Sequence, residues 1–188
     1  MKNGTIVILN GTSSSGKSSI VSVLQEILAP PFLDAGIDKF LWMLPGRYLR
    51  APQWREVLGA ATQAGPVGHT LMSGMHHAIA ALSRAGNNVV ADHVLVEPEW
   101  LRECASLFSG LPTYFVGIMC PLHVLEQREK DRKDRTLGSA RAQLEVVHAH
   151  GVYDLEVNTS THSAMDCALQ IKAHLESGQP PLAFKRLC

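Results

Sequence analysis

Nine consecutive residues near the N-terminus hold most of the chemistry that can be read directly from this chain. Gly11, Thr12, Ser13, Ser14, Ser15, Gly16, Lys17 and Ser18 fit the spacing G-x-x-x-x-G-K-[ST] at each fixed position, and Ser19 follows. That spacing builds a loop for the phosphates of a nucleoside triphosphate. Its glycines let the backbone curl until amide N–H groups face anionic oxygens. Lys17 supplies a cation that reaches the β- and γ-phosphates, and Ser18 offers a hydroxyl to Mg²⁺. A helix that begins there turns its positive end toward the same anion. The expected ligands are therefore ATP and Mg²⁺, cradled by residues 11–19.

A metal at such a loop needs an acidic partner, because Mg²⁺ keeps several waters that carboxylates hold. Asp92 closes the apolar run Val89-Val90-Ala91. An acid ending a buried strand projects over the carboxyl edge of a sheet, where ligands bind in α/β folds. The plainer alternative is a turn or helix-cap aspartate. His93, beside it, either contacts substrate or only borders the site. A second carboxylate, Asp38, follows Gly36-Ile37 at the end of another strand-like run, Phe32 to Ile37. Delivered to the same edge, it would orient an alcohol and take its proton as an O–P bond forms. Alternatively Asp38 caps the segment Lys39 to Trp42, and Asp34 is a rival base. Phe40, Trp42, Met43 and Leu44 then either wall an apolar acceptor pocket or pack in the core.

Arg128, Arg132 and Arg135 recur at i, i+4 and i+7, on one helix face. Arginines in a lid over residues 128–138, hinged at Gly138, would neutralise charge on a transferring phosphoryl group. The alternative is a solvated charged helix in which Glu129 pairs with Lys133 and Asp131 and Asp134 add balance. The histidines at 76, 77, 148 and 150 lack partners at metal spacing, so structural or surface roles are expected.

These groups need elements to position them. Thr5 to Asn10 is an apolar, β-branched run of the kind that forms a buried parallel strand. Ile20, Val21, Val23, Leu24, Ile27 and Leu28 form a helical stripe stopped by Pro30-Pro31. Helices are predicted over 68–85, 98–108, 122–133, 139–150 and 163–176, and further strands over 88–92, 114–119 and 152–157. Alternating strands and helices imply an α/β, P-loop kinase-like three-layer fold, a five-stranded parallel sheet with helices on both faces. The 188 residues suit a single domain, with residues 39–66 a candidate acceptor-binding insert and the segment after Pro180-Pro181 a tail.

Composition narrows the function class. Seventeen basic residues balance seventeen acidic ones, which argues against a nucleic-acid or membrane partner. No apolar run is long enough to span a bilayer, and the first strand follows the N-terminus at once, so a cytoplasmic protein is expected. The four cysteines are scattered with no C-x-x-C pair, as reduced thiols are. The expected partner is a small-molecule alcohol; homo-oligomerisation stays open.

Several segments together resemble the chloramphenicol phosphotransferases, small P-loop kinases that phosphorylate a hydroxyl of that antibiotic. Ile8-Leu9-Asn10-Gly11 leads into the serine-rich loop. Gly36-Ile37-Asp38 resembles the family's G-V-D, whose aspartate is the proposed general base. Arg128-Glu129, Arg132 and Asp134-Arg135 resemble its lid, and Val146-Val147-His148 with Gly151-Val152-Tyr153-Asp154 and Glu156-Val157 resembles its closing segment. The resemblance implies ATP-dependent transfer of the γ-phosphate to a small-molecule hydroxyl, as in chloramphenicol 3-O-phosphotransferase. It implies Asp38, Lys17, Arg132 and Arg135 as catalytic residues, Arg128 with the loop on the nucleotide, and Ser18 and Asp92 on the metal. The chain departs from the family pattern at His93, where a second aspartate is common, and over residues 39–66. A metabolite kinase of shikimate, gluconate or nucleotide type is the alternative, and a nucleotide-dependent switch a more distant one.

Overall fold

The computed structural model describes residues 2–131 and 137–188. Strand β1 (Ile6–Asn10) runs into the phosphate loop and helix α1 (Lys17–Ile27), followed by β2 (Phe32–Asp34) and the short α2 (Ile37–Leu41). Residues 42–65 then hold turns, α3 (Trp54–Val57) and a small antiparallel hairpin of β3 (Leu58–Ala60) and β4 (Gln63–Ala64). The chain continues through α4 (Pro66–Arg84), β5 (Asn88–His93), α5 (Pro98–Phe108), β6 (Thr113–Met119), α6 (Leu122–Asp131), α7 (Ser139–Val147), β7 (Leu155–Asn158), α8 (Ala164–Glu176) and α9 (Ala183–Arg186).

Five strands form one sheet in the order β2-β5-β1-β6-β7, every pairing parallel. Side-chain alternation along the strands divides the core into two layers. Ile6 and Ile8 of β1, Val89 and Ala91 of β5 and Phe115 of β6 pack with Met72, Met75 and Ile79 of α4 and Trp100 and Phe108 of α5. Val7, Leu9, Val90, Val116, Ile118 and Val157 face the other way, onto Ile20 and Leu24 of α1 and Cys167 and Ile171 of α8. This is the expected three-layer α/β arrangement.

Three boundaries differ from the sequence expectation. The second strand ends at Asp34, so Ile37 and Asp38 lie in the first turn of α2, whose N-cap is Gly36. Helix α7 stops at Val147, because Asn10 at the end of β1 donates its Nδ2 to the Val147 carbonyl, 2.9 Å. The last strand starts at Leu155 because Tyr153 crosses the sheet edge instead of pairing: a Cβ on Gly117 would lie 2.8 Å from its ring.

The C-terminal residues are a docked element, not a loose tail. Asp154 Oδ1 accepts from the N–H groups of Leu182 (2.7 Å) and Ala183 (2.9 Å), and its Oδ2 accepts from Phe115 N–H (2.9 Å). Phe184 stacks on Phe115 and meets Phe108 edge-on, with ring centroids 4.5 and 5.5 Å away. Its ring is buried, so truncation leaves a cavity: Phe184→Ala should destabilise the fold by about 3 kcal/mol, read as a lower urea midpoint at unchanged m-value.

Candidate active site

The phosphate loop lies where β1 ends. Ser14 adopts φ 62° and Gly16 φ 91°, both left-handed, so the backbone turns back on itself just before α1. A left-handed serine is costly and persists only where its surroundings hold it. Here Thr159, after β7, donates its Oγ1 to the Ser15 carbonyl (2.8 Å), and Arg128 of α6 reaches the Ser14 carbonyl (3.4 Å). The Lys17 ammonium is buried and donates to the carbonyls of Gly11 (2.9 Å) and Thr12 (2.6 Å). Ser14 Oγ is buried with no hydrogen-bond partner among the described residues. A curled backbone, a sequestered cation and an unpartnered hydroxyl fit a polyphosphate chemically.

One residue into α1, Ser18 donates its Oγ to Asp92 Oδ2, 2.9 Å. Two hard oxygen donors suit Mg²⁺, which keeps much of its shell as water and phosphate. They do so without a protein cage: among the described residues no group of three or more His, Cys, Asp or Glu converges on a metal position. Asp92 rests on the backbone of Gly36, where a Cβ would lie 2.0 Å from its Oδ1. Only glycine admits that approach. Asp38 stands two residues beyond, half-buried in the first turn of α2. Asp34 is engaged locally: its Oδ1 accepts from Gly36 N–H (3.0 Å) and its Oδ2 pairs with Lys39 (3.3 Å).

Arg128 crosses from α6 to the loop after β7, donating to Thr159 Oγ1 (3.1 Å) and to the Thr159 carbonyl (2.7 Å). With Ser14, Gly16, Ser19, His162 and Ser163 it lines a cleft of about 360 Å³ on the outer side of the phosphate loop. Its neighbour Glu129 is not solvated. The carboxylate is buried and accepts from Gly138 N–H (3.0 Å) and Ala140 N–H (2.8 Å), capping α7. Gly138 has φ 87° at that cap. Arg132 and Arg135 lie outside the described residues, as do Lys133 and Asp134.

The structure gives His93 a definite place. Asp92 and His93 are consecutive on β5, so they face opposite layers, and His93 points away from Ser18 into the α4–α5 side. Its Nδ1 accepts from Val94 N–H (2.8 Å), which leaves the proton on Nε2, donated to Nε2 of His76 on α4 (2.8 Å). His76 then carries its own proton on Nδ1, facing Glu103 of α5 (2.5 Å). Burial, chiefly, lowers the pKa of both imidazoles, so each stays neutral. Burial tends to raise the carboxyl pKa of Glu103, but hydrogen bonds from Ser73 and His76 outweigh it and hold the group ionised. The chain pins β5 to both helices.

Sequence reasoning did not find Thr159, His162 or Gln143. Gln143 of α7 accepts from Ser13 N–H through Oε1 (2.7 Å) and donates through Nε2 to the Ala61 carbonyl (3.2 Å). None of the three falls in a recognisable motif. Thr159 alone carried a signal, its place just past a strand at the ligand-binding edge.

A phosphate loop, a serine–carboxylate pair and a following acid, all on one edge of a parallel sheet flanked by helices, define a P-loop kinase-type phosphotransferase fold. The Mycobacterium tuberculosis APS kinase CysC, solved with AMPPNP and APS, superposes with a TM-score of 0.65 at 20% identity over 94% of this chain and 99% of that one. A Sinorhizobium meliloti gluconokinase gives 0.64 at 20% over 98% and 95%, and the Deinococcus radiodurans tunicamycin resistance protein 0.66 at 17% over 92% and 95%. Within that fold the chain belongs to the chloramphenicol phosphotransferase-like family, described as "Chloramphenicol phosphotransferase-like protein", which matches residues 4–176. The Mycobacterium tuberculosis H37Rv protein named "Putative O-phosphotransferase Rv2636" is 30% identical across 100% of this chain and 89% of that protein. Among the described residues no helix is long and apolar enough to cross a membrane.

The buried imidazoles make stability depend on pH. His148 is held down to about 4, by burial first and then by His150 and Lys17, and burial lowers His76 and His150 as well. The unfolded chain takes up these protons near pH 6.5, the folded chain only at lower pH. Stability is therefore complete above about pH 7 and falls as pH drops toward 4. Urea midpoints should decline steadily from pH 7 to 5. His148→Gln should flatten that decline by up to about 1.4 kcal/mol per pH unit, whatever its offset at pH 7.

Proposed function

We propose that this protein transfers the γ-phosphate of ATP to a hydroxyl of a small, largely apolar molecule. The observation that carries the proposal is the gathering of the phosphate loop, the Ser18–Asp92 pair and the start of α2, which holds Asp38, at one sheet edge, together with an uncharged recess lined in part by α2. That recess, about 600 Å³, is walled by Phe40, Met43, Leu44, Val67 and Leu71 from α2, the turn after it and α4. None of these walls carries a charge, whereas an anionic acceptor calls for arginines. Arg47 and Arg50, the nearest candidates in sequence, are exposed, and Arg47 lies over the Tyr48 ring.

In this reading residues 39–66 grip the acceptor and residues 128–138 form the lid. The amides of residues 11–19 and the Lys17 ammonium hold the phosphates, and Arg128 with Thr159 and His162 borders the nucleoside side. Ser18 and Asp92 would hold Mg²⁺, which when bound offsets negative charge on the phosphate oxygens. Asp38 accepts the proton of the acceptor hydroxyl while that oxygen bonds to the γ-phosphorus. The bond from phosphorus to the ADP oxygen breaks, and ADP leaves with its electron pair. Arg132 and Arg135 are proposed to act on the same charge from the lid. Chloramphenicol is the first acceptor to try, and with it a role in antibiotic resistance.

Incubation with ATP, Mg²⁺ and a panel of hydroxylated antibiotics and metabolites, read by mass spectrometry, tests the reading. Acceptor-dependent ADP release with gain of one phosphoryl group is expected; ATP consumption that ignores every acceptor would remove the kinase reading. Asp38→Asn should lower kcat by about a hundredfold or more, the range a positioned base contributes, with AMPPNP affinity within about threefold. Gly36→Ala forces the Asp92 carboxylate off its seat. It should weaken Mg²⁺-dependent AMPPNP binding by about tenfold while the nucleotide's affinity in EDTA does not fall; equal losses in both conditions would dissociate Asp92 from the metal.

A further inference from the structure

Helix α7 lies along the phosphate loop as a strut fixed at both ends. At its start Glu129 of α6 caps it through Gly138 and Ala140 N–H. At its end the Val147 side chain is buried and its carbonyl accepts from Asn10. Between these anchors one side chain makes the bonds to both neighbouring segments. Gln143 spends its oxygen on the Ser13 amide, inside the phosphate loop, and its nitrogen on the Ala61 carbonyl, in the turn joining β3 to β4. The hairpin is otherwise held from behind: Ala64 N–H donates to Glu97 Oε1 (2.8 Å), and Gly65 N–H to the Val57 carbonyl (3.2 Å). Among the described residues the Gln143 bond ties the hairpin to the loop.

A primary amide is suited to this place. Its two ends have opposite hydrogen-bonding sense on one rigid plane, so fixing the oxygen on Ser13 N–H fixes where the nitrogen points. Gln has considerable rotamer entropy to lose, and the second bond is formed at lower cost once the first is held. A triphosphate that orders the loop thereby favours the hairpin's docked position. We propose that Gln143 is a positioning residue for the transfer, coupling nucleotide occupancy of the phosphate loop to the β3–β4 hairpin on the acceptor side. The coupling rests on the reading of residues 11–19 as a triphosphate site.

Hydrogen–deuterium exchange with AMPPNP and Mg²⁺ as the probe tests this without knowledge of the acceptor. In the wild-type chain AMPPNP should slow exchange of the loop peptide and, by about threefold or more, of the peptide spanning 58–64. In Gln143→Leu at saturating AMPPNP the loop should still respond while the hairpin responds by less than about 1.5-fold. Gln143→Glu keeps the acceptor for Ser13 N–H but sets a carboxylate against the Ala61 carbonyl, so it should also lose the hairpin response. Unchanged exchange in β1 and β5 certifies that both variants are folded; if one is not, the other decides. A hairpin that follows nucleotide equally in either folded variant, or never follows it in the wild type, overturns the coupling and leaves the proposed function standing. Failure of AMPPNP to protect the wild-type loop overturns the proposed function, and the coupling with it.

Discussion

The site depends on β1 and β5 lying parallel, side by side and level at their carboxyl ends. Leu9 faces Asp92 across the ladder, and Asn10 faces His93. One strand then empties into the phosphate loop where the other presents an acid, and Ser18 of α1 closes the gap with a single hydrogen bond. Strand alternation makes the arrangement intolerant of slippage, because shifting β5 by one residue would exchange the layers that Asp92 and His93 face. The buried chain from His93 through His76 to Glu103 resists such a shift. Its members are hydrogen-bonded along their length, as groups drawn from water into an apolar layer must be.

Past the strand ends no ladder organises the backbone, and side chains take over that task. Asn10 is one hub: its Oδ1 accepts from Leu95 N–H, and its Nδ2 donates to the Val147 carbonyl and Tyr153 hydroxyl. Glu129 is another, spending a buried carboxylate on the start of α7. Thr159 is a third, joining the end of β7 to Ser15 and Arg128. Each places a polar atom on a backbone group that would otherwise be stranded, so the edge that must recognise a ligand is braced by side chains from outside the ladder.

This explains what the sequence made legible. β1, α1, β5 and α5 declare themselves by periodicity and by their stops, and the P-loop spacing names its own ligand. The place of Asp92 beside the loop was legible because an acid ending a buried strand projects over the carboxyl edge of the sheet. Contacts such as Asn10 to Val147 or Gln143 to Ser13 join residues more than a hundred positions apart and leave no local pattern. Glu129 looked like one charge among many in a polar helix, since its burial comes from α7 folding over it. The tail was misjudged because two prolines read as a stop, while the four-residue α9 is held by Asp154 and Phe115 from far upstream. The stretch 42–65 stayed opaque for a related reason: its short α3 and hairpin follow from packing on α4 and Glu97.

Under the proposed function the charges at the loop would favour a particular ligand state. Arg128 bonds to the Ser14 carbonyl and to Thr159, and Lys17 bonds to the carbonyls of Gly11 and Thr12. Both cations are thus aimed by neutral oxygens, and an arriving polyanion can strengthen their field without rebuilding it. Across the loop Asp92 acts in the opposite sense. Two unit negative charges about 4 Å apart repel by about 4 kcal/mol at an effective dielectric near 20, so a bare triphosphate approaching Asp92 would forfeit much of what the amides and Lys17 supply. A divalent cation between phosphate and carboxylate reverses that sign. Under the proposed function Asp92 would therefore disfavour metal-free nucleotide and favour the metal complex, and the Ser18–Asp92 pair would filter the form of the donor as well as seat its counterion.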